Sequence, residues 1–359
     1  MRKFNFSAGP AVLPLPVLEE VRDTLVDYRG NGLSLLECSH RSKMYEDVHN
    51  ETISLFQELL GLPESHKVIF LGGGATLQFS MVPMNFLTPG KACDMVVSGA
   101  WAKKALSDAK KIGDVKVVFD GAETKYTTLP KSDTIYNPDA AYVHITSNET
   151  IGGLQWKTFP DTGDVPLIAD MSSDIMSTPL PVEKFSMIYA GAQKNLGPSG
   201  VAVAVIHEKL LERCPKSLTA YLNYGIHSEK NSLYNTPPVF SIYIMMLVLR
   251  WVKAQGGVAK MSELSSQKAG AIYREIDSSG GFYSCPVEKE SRSVMNVIFR
   301  LPSEELDKKF LKEAEALDMI GLKGYRDVGG CRASLYNAMP LEGALTLAGF
   351  MKDFAAANG

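Results

Sequence analysis

Cysteine is scarce in this chain, and its distribution argues against two kinds of cross-link. Five cysteines are spread over 359 residues, namely Cys38, Cys93, Cys214, Cys285 and Cys331. Their number is odd and no two of them form a C-x-x-C pair, which argues against a disulfide framework and against a zinc site. We therefore predict a protein without a metal site that resides in a reducing cytoplasm.

The chain also lacks an excess of charge and a long apolar run. Lys and Arg total 37 against 40 Asp and Glu, so the formal net charge is -3, and no global field attracts nucleic acid or an acidic membrane. The most apolar window, residues 239–252, is too short to span a bilayer and predicts a buried helix. The first seven residues contain no apolar core of signal-peptide length, so we expect no export.

Strand-like and helix-like segments alternate along much of the chain. From Ala92 onward, apolar runs end in turns and are followed by helical patterns, which predicts an α/β fold with a mostly parallel sheet. The pattern changes near Gly256 and Gly257, where a smaller α+β region begins. We predict an N-terminal arm (1–14) associated with the small domain, a large domain (15–256) and a small C-terminal domain (257–359).

One lysine stands at the end of a predicted buried strand. Lys194 follows the apolar residues 187–189, precedes the turn at 197–200, and is followed by a second apolar run, 201–206. Desolvation disfavours the charged form of an amine, and a neutral lysine can form a Schiff base with a carbonyl cofactor. Most loop lysines are merely solvated, so the position of Lys194 needs support from elsewhere in the chain.

That support comes from an acid at the end of another predicted strand. Asp170 closes the apolar segment 165–169 and is followed by two serines two and three residues on. A pyridoxal phosphate enzyme needs a lysine for the aldehyde and a carboxylate for the pyridine nitrogen, because an opposite charge raises the pKa of that nitrogen. The pair Asp170 and Lys194 therefore indicates this cofactor.

Three further features fit a bound phosphate and a flat ring, although each has a structural alternative. Gly72-Gly73-Gly74 separates a predicted strand from a helix that starts at Ala75-Thr76. This glycine turn is either a cradle for an anion or a tight turn with packing glycines. Trp101 lies at a strand-to-helix junction, where it either stacks on a ring or belongs to the core. Thr150 could donate a hydroxyl to a phenolate or phosphate, or bond within its turn.

Several strings of residues carry a family resemblance over nearly the whole chain. They are Phe4-Asn-Phe-Ser-Ala-Gly-Pro10, Ser39-His40-Arg41, Asn148-Glu-Thr-Ile-Gly-Gly153, Ala190-Gly-Ala-Gln-Lys-Asn195, Tyr234-Asn-Thr-Pro-Pro238 and the segment from Arg332 to Gly343. With them the chain closely resembles the phosphoserine aminotransferases, class V pyridoxal phosphate enzymes. The resemblance implies the PLP-dependent transferase fold of the aspartate aminotransferase type (fold type I).

The resemblance also implies roles for individual residues. Lys194 matches the Schiff-base lysine, Asp170 the pyridinium partner, Trp101 the ring-stacking residue and Thr150 the partner of the phenolic oxygen. Contacts to the cofactor phosphate are matched by Ala75, Thr76 and Gln193, and, from the other subunit of a homodimer with shared active sites, by Asn235 and Thr236. The basic cluster that receives substrate carboxylate and phosphate is matched by His40, Arg41, Arg326 and Arg332.

The implied reaction is the transfer of an amino group from L-glutamate to 3-phosphooxypyruvate, which gives phosphoserine and 2-oxoglutarate in serine biosynthesis. In some organisms the family also serves the phosphohydroxythreonine step of vitamin B6 synthesis. Two positions depart from the pattern of some members: Thr76 stands where they carry Arg, and Tyr325 where they carry His. We therefore expect this chain to bind the substrate phosphate with fewer cations.

Other readings remain open on the sequence alone. An alanine-glyoxylate type aminotransferase or a cysteine desulfurase would share the fold, but a desulfurase needs a mobile nucleophilic cysteine, and none of the five lies in a Gly/Ser-rich loop suited to that role. A non-catalytic nucleotide-binding or scaffold protein would use Lys194 only in a salt bridge. Visible absorbance that borohydride bleaches would exclude a plain scaffold.

Overall fold

The computed structural model describes residues 2–131, 133–325 and 328–359. Its strands are, in chain order, β1 (Phe4–Asn5), β2 (His66–Leu71), β3 (Cys93–Val97), β4 (Val115–Asp120), β5 (Val143–Thr146), β6 (Asn148–Glu149), β7 (Leu154–Gln155), β8 (Leu167–Asp170), β9 (Met187–Gly191), β10 (Ala202–His207), β11 (Asn296–Phe299), β12 (Met319–Ile320) and β13 (Cys331–Ser334). Its helices are α1 (Leu15–Thr24), α2 (Lys43–Leu60), α3 (Gly74–Phe86), α4 (Ala100–Ile112), α5 (Glu208–Leu211), α6 (Tyr224–Glu229), α7 (Val239–Ala254), α8 (Gly257–Ser278), α9 (Glu304–Ala316) and α10 (Leu341–Asn358).

A seven-stranded sheet forms the centre of the fold, in the order β2-β10-β9-β8-β5-β3-β4. Strand β10 runs antiparallel to both of its neighbours, whereas the pairs from β9 to β4 are parallel. The predicted mostly parallel sheet is therefore confirmed. Because parallel strands share a direction, their carboxyl ends meet at one edge, where ligands bind in open α/β sheets.

Both faces of this sheet are covered, which explains why its strands are apolar without interruption. On β9, for example, Ile188 and Ala190 belong to one buried cluster, and Met187 and Tyr189 belong to the cluster on the opposite face. Successive side chains on a strand point to opposite faces. A continuous apolar run is thus what a strand between two helical layers requires.

A separate buried cluster joins the beginning of the chain to its end. Phe6 and Val12 pack with Ala269, Val297 and Phe354, and β1 pairs in parallel with β12. This packing accords with an N-terminal arm on the C-terminal region. The domain boundaries at residues 14 and 256 stay a prediction.

Helix α7 is the buried helix that the apolar window 239–252 predicted, since nine of its residues are buried. In the described part of the chain no single helix is long and apolar enough to cross a membrane; one pair, α7 with α8, meets the length and composition test but is bent by 81°.

Candidate active site

A cavity of about 510 Å³ opens at the carboxyl edge of the sheet. Asp170 ends β8, Lys194 follows β9, Trp101 follows β3, and Thr150 follows β6, the short strand after β5. All four line the cavity together with Ala75, Thr76, Gln193, Tyr325 and Arg332. The structure therefore brings together most of the cofactor-site residues that the sequence predicted.

Lys194 projects its amine into this cavity. Its Nζ donates a hydrogen bond to Thr150 Oγ1 at 2.6 Å. Desolvation lowers the pKa of Lys194 to about 8, against the opposing effects of Asp170 and Glu149, which favour the ammonium form. At neutral pH roughly a tenth of such an amine is uncharged, a much larger fraction than for a lysine in water.

Asp170 is almost fully buried, with 4% of its surface exposed. Its Oδ1 accepts hydrogen bonds from the backbone N–H of Ser172 at 2.9 Å and from Ser172 Oγ at 2.6 Å. Burial raises the pKa of Asp170, and the hydrogen bond from Ser172 and the charge of Lys194 oppose that rise. The acid can thus face a cation inside the cavity, which would offset the cost of burying its charge.

The start of α3 offers backbone donors to an anion. Gly73 precedes this helix at a φ of 80°, and no side chain caps the helix there. The first N–H groups of a helix have no partner within the helix, and the helix dipole adds positive potential at the same end. No acidic residue lies in the first turn, so the amides around Ala75 and Thr76 suit a phosphate.

Arg332 lines the cavity as a second cation beside Lys194. It stands on β13, its Nη1 donates to the carbonyl of Thr150 at 3.4 Å, and its buried Nε has no partner among the described residues. Tyr325, 41% exposed, also lines the cavity. Arg326, the other predicted arginine of the substrate cluster, lies outside the described residues.

Four predicted site residues are placed away from the cavity of their own chain. His40 is half-buried and Arg41 is exposed just before α2, while Asn235 is half-buried and Thr236 exposed before α7. None of the four lines the cavity. Within a single chain, therefore, the structure does not bring them together with Lys194.

Three parts of the site had no role in the sequence prediction. Ser172 holds Asp170, Glu149 binds the start of α4, and the arm residues Ala8 to Pro10 line the cavity. The arm is held by Ala11, whose N–H donates to the carbonyl of Gln193 at 2.9 Å. The signal available in the sequence was that Glu149 and Ala8 to Pro10 lie inside the strings that carry the family resemblance, and that Ser172 is one of the two serines after Asp170.

The described residues hold no group of His, Cys, Asp and Glu that could bind a metal ion. No cysteine lines the cavity; Cys38, Cys93 and Cys331 are buried elsewhere, and Cys214 and Cys285 are partly buried. A cysteine nucleophile, as a desulfurase needs, is thus not available at this cavity among the described residues.

Comparison with known proteins supports one family over the whole chain. The model of the class-V aminotransferases matches residues 3–347. A phosphoserine aminotransferase from Geobacillus kaustophilus is 55% identical over 98% of this chain and 98% of its own length. The solved structure of the phosphoserine aminotransferase from Bacillus circulans subsp. alkalophilus is 51% identical and has a TM-score of 0.98, with 100% of this chain and 99% of that chain covered. A PLP-bound phosphoserine aminotransferase from Trichomonas vaginalis, 37% identical, has a TM-score of 0.93 over 98% of this chain and 100% of that chain.

The residues present fit pyridoxal phosphate. The uncapped start of α3 suits its phosphate, the buried Asp170 suits its pyridinium, and the amine of Lys194 suits its aldehyde. The predicted fold class, cofactor and enzyme class are confirmed. The protein is a pyridoxal phosphate-dependent aminotransferase, and the chain belongs to the phosphoserine aminotransferase family within the class-V aminotransferases.

Proposed function

We propose that the protein catalyses the reversible transfer of an amino group from L-glutamate to 3-phosphooxypyruvate, which yields O-phospho-L-serine and 2-oxoglutarate. The observation that carries the proposal is the amine of Lys194, which has its pKa lowered to about 8 and lies in one cavity with Asp170, Trp101 and Thr150. This arrangement occurs in a chain that is similar to phosphoserine aminotransferases over its full length.

The cofactor would be held by contacts of different kinds. Ala75, Thr76 and Gln193 would bind its phosphate, Asp170 its pyridine nitrogen, Thr150 its phenolic oxygen, and Trp101 the face of its ring. When bound, pyridoxal phosphate supplies an electron sink for the negative charge that develops at the substrate α-carbon. Asp170 would keep the ring nitrogen protonated, and Ser172 would keep Asp170 charged and oriented.

Lys194 would move the proton of the reaction. A general base works best with a pKa near the operating pH, and burial brings the pKa of Lys194 to about 8. The amine would take a proton from the substrate α-carbon, hold it, and release it again as the amino group is transferred. Thr150 Oγ1, which accepts from Nζ at 2.6 Å, would hold the amine at the cavity wall.

Substrate anions would be divided between two groups of donors. Arg332 presents a planar guanidinium that suits the α-carboxylate, and its buried Nε is unpartnered among the described residues. His40, Arg41 and Arg326 would serve the substrate phosphate. Thr76 and Tyr325 would add neutral hydroxyl donors to the same pocket in place of cations.

We further propose a homodimer with shared active sites. His40, Arg41, Asn235 and Thr236 do not line the cavity of their own chain, so they can act on a cavity only from a second subunit. The loop before α7 also leaves Tyr234 50% exposed. A two-fold dimer would cover such a loop in both subunits at once.

Substrate preference tests the proposed reaction. Protein loaded with pyridoxal phosphate is given either phosphoserine or alanine, with 2-oxoglutarate as acceptor, and glutamate formation is measured. We expect kcat/KM for phosphoserine to exceed that for alanine by roughly 100-fold or more, because the site then contributes charged contacts that alanine cannot use. Equal values would refute phosphate recognition and favour the alanine-glyoxylate type.

A further inference from the structure

Glu149 is a buried acid at the edge of the active site, and no cation forms a salt bridge with it in the described residues. None of its surface is exposed. Its Oε2 accepts the backbone N–H of Trp101 at 3.1 Å, and its Oε1 accepts that of Ala102 at 3.0 Å. Ser98 Oγ lies 3.5 Å from Oε1. The acid thus binds the first turn of α4 through both carboxylate oxygens.

The glycine before α4 makes room for this carboxylate. A Cβ added to Gly99 would lie 2.5 Å from the Cδ of Glu149. The φ of Gly99 is 176°, an extended conformation that any residue adopts. The reason for glycine here is therefore the space that the carboxylate occupies, and not the backbone conformation.

The indole of Trp101 packs against a buried apolar cluster of the sheet, and its polar contacts are few. Its buried Nε1 has no hydrogen-bond partner among the described residues. The Nζ of Lys104 lies 4.2 Å from the ring centroid, and that of Lys194 lies 5.5 Å from it. Cation–π contacts and apolar packing are both broad in geometry, so the hydrogen-bonded first turn of α4 is the directional restraint on where the indole stands.

We propose that Glu149 is a positioning residue: its carboxylate fixes the first turn of α4 and so holds the Trp101 indole in place for the cofactor ring, an inference that rests on the role proposed for Trp101. A carboxylate at a helix N-terminus accepts hydrogen bonds from the free N–H groups there and also interacts favourably with the helix dipole. Removing the negative charge of Glu149, or displacing its carboxylate, should therefore in either case make the Trp101 indole more mobile.

The charge of Glu149 changes with pH near neutrality. Burial raises the pKa of Glu149 to about 7, the amides of Ala102 and Trp101 oppose this rise, and nearby Asp170 and Lys194 respectively add to it and oppose it. Above this pKa both oxygens accept N–H bonds. Below it the protonated acid keeps one good acceptor, so the turn is held less firmly.

The experiment measures the fluorescence of the Trp101 indole in protein without cofactor. Trp156→Phe and Trp251→Phe leave Trp101 as the single tryptophan, and its emission and its quenching by acrylamide are followed between about pH 6 and about pH 8.5. Into this background are placed Glu149→Gln, which removes the charge, and Gly99→Ala, which displaces the carboxylate. Asp174→Asn is the matched control, because Asp174 is also a buried acid but bonds to Ser147 and Gln155 and not to α4.

We expect a pH-dependent emission change near the pKa of Glu149 in the parent protein and in Asp174→Asn. In Glu149→Gln this change should be absent, and in Gly99→Ala quenching should be increased throughout. Titration of cofactor into the same proteins should give a Kd raised about 10- to 100-fold in both test variants, the scale of losing a charge-assisted bond at a helix terminus. Gly99→Ala keeps the proposal testable if Glu149→Gln does not fold.

Parent-like emission and quenching in Gly99→Ala would overturn the proposal, as would an emission change with its midpoint at about 7, the pKa of Glu149, that survives in Glu149→Gln; a change at about 8 belongs to Lys194 and is expected in every variant. An equal change in Asp174→Asn would also overturn it, since the effect would then belong to any buried acid. Because emission is read without cofactor or substrate, these outcomes stand apart from the test of the amino-group transfer.

Discussion

Ser172→Ala should lower both the free energy of unfolding and the affinity of the protein for its cofactor. Ser172 Oγ donates to Asp170 Oδ1 at 2.6 Å and accepts the N–H of Gly191 at 3.1 Å. The first bond has an ionised acceptor and contributes about 1.5–3 kcal/mol, and the stranded N–H costs about 1–3 kcal/mol more. Allowing for partial relaxation, we expect a loss of about 2–4 kcal/mol in the free energy of unfolding.

The loss should depend on pH, and its sign follows from Asp170. Burial raises the pKa of this acid in the folded state above the value of about 4 for an unfolded chain, and Ser172 counteracts the rise. Without Ser172 the pKa rises further, so the folded state binds still more protons. The penalty is therefore smaller in acid, where Asp170 is neutral in the folded parent and in the folded variant and only the stranded N–H and a neutral hydrogen bond are lost, and it grows as pH rises through the folded pKa of the parent.

The assay is urea unfolding of cofactor-free protein at about pH 4.5 and about pH 7.5, with cofactor titration at the higher pH. Ser173→Ala is the control, because the hydroxyl of this adjacent buried serine bonds only to the neutral Asn148. It should lose about 1–2 kcal/mol equally at both pH values. A Ser172→Ala penalty that is equal at both pH values would refute the role assigned to the bond with Asp170.

Three more predictions follow from the proposed roles. Lys194→Ala should abolish amino-group transfer yet keep some cofactor through gel filtration, because the start of α3 and Asp170 remain; wild-type-like turnover would contradict the assignment. Mixing that chain with an inactive Asn235/Thr236 double mutant should restore part of the activity through hybrid dimers, and no recovery after verified subunit exchange would count against shared sites. Arg41→Ala should lose roughly 2–5 kcal/mol of transition-state binding for phosphoserine and much less for alanine, whereas Arg332→Ala should weaken both, as kcat/KM measurements would reveal.

The cofactor site was accessible from the sequence because of one topological rule. Asp170 and Lys194 are 24 positions apart, yet each ends or follows an apolar run, and the carboxyl ends of parallel strands share an edge. Local patterns therefore sufficed to place the two side chains together. The same rule placed Trp101 at the junction of β3 and α4.

The remaining parts of the site depend on contacts that no local pattern encodes. Glu149 lies in a polar string that is typical of an exposed loop, although it is fully buried. Lys268 is similar: it reads as a solvated helix residue, but it is buried and donates to the carbonyls of Tyr336 and Met339. The placement of His40 and Arg41 outside the cavity likewise depends on the path of the chain and not on local composition.

The attachment of the N-terminal arm has a consequence for the order in which the protein can mature on the ribosome. The arm emerges first, but Phe4 and Asn5 of β1 pair with Met319 and Ile320, and the Tyr336 hydroxyl donates to the carbonyl of Ala8 at 2.7 Å. These partners are synthesised more than three hundred residues after the arm, so the arm can dock only long after it has been made. The wall that Ala8, Gly9 and Pro10 give to the cavity is therefore completed only after Met319 to Tyr336 have been synthesised, and tight retention of the cofactor must await that moment.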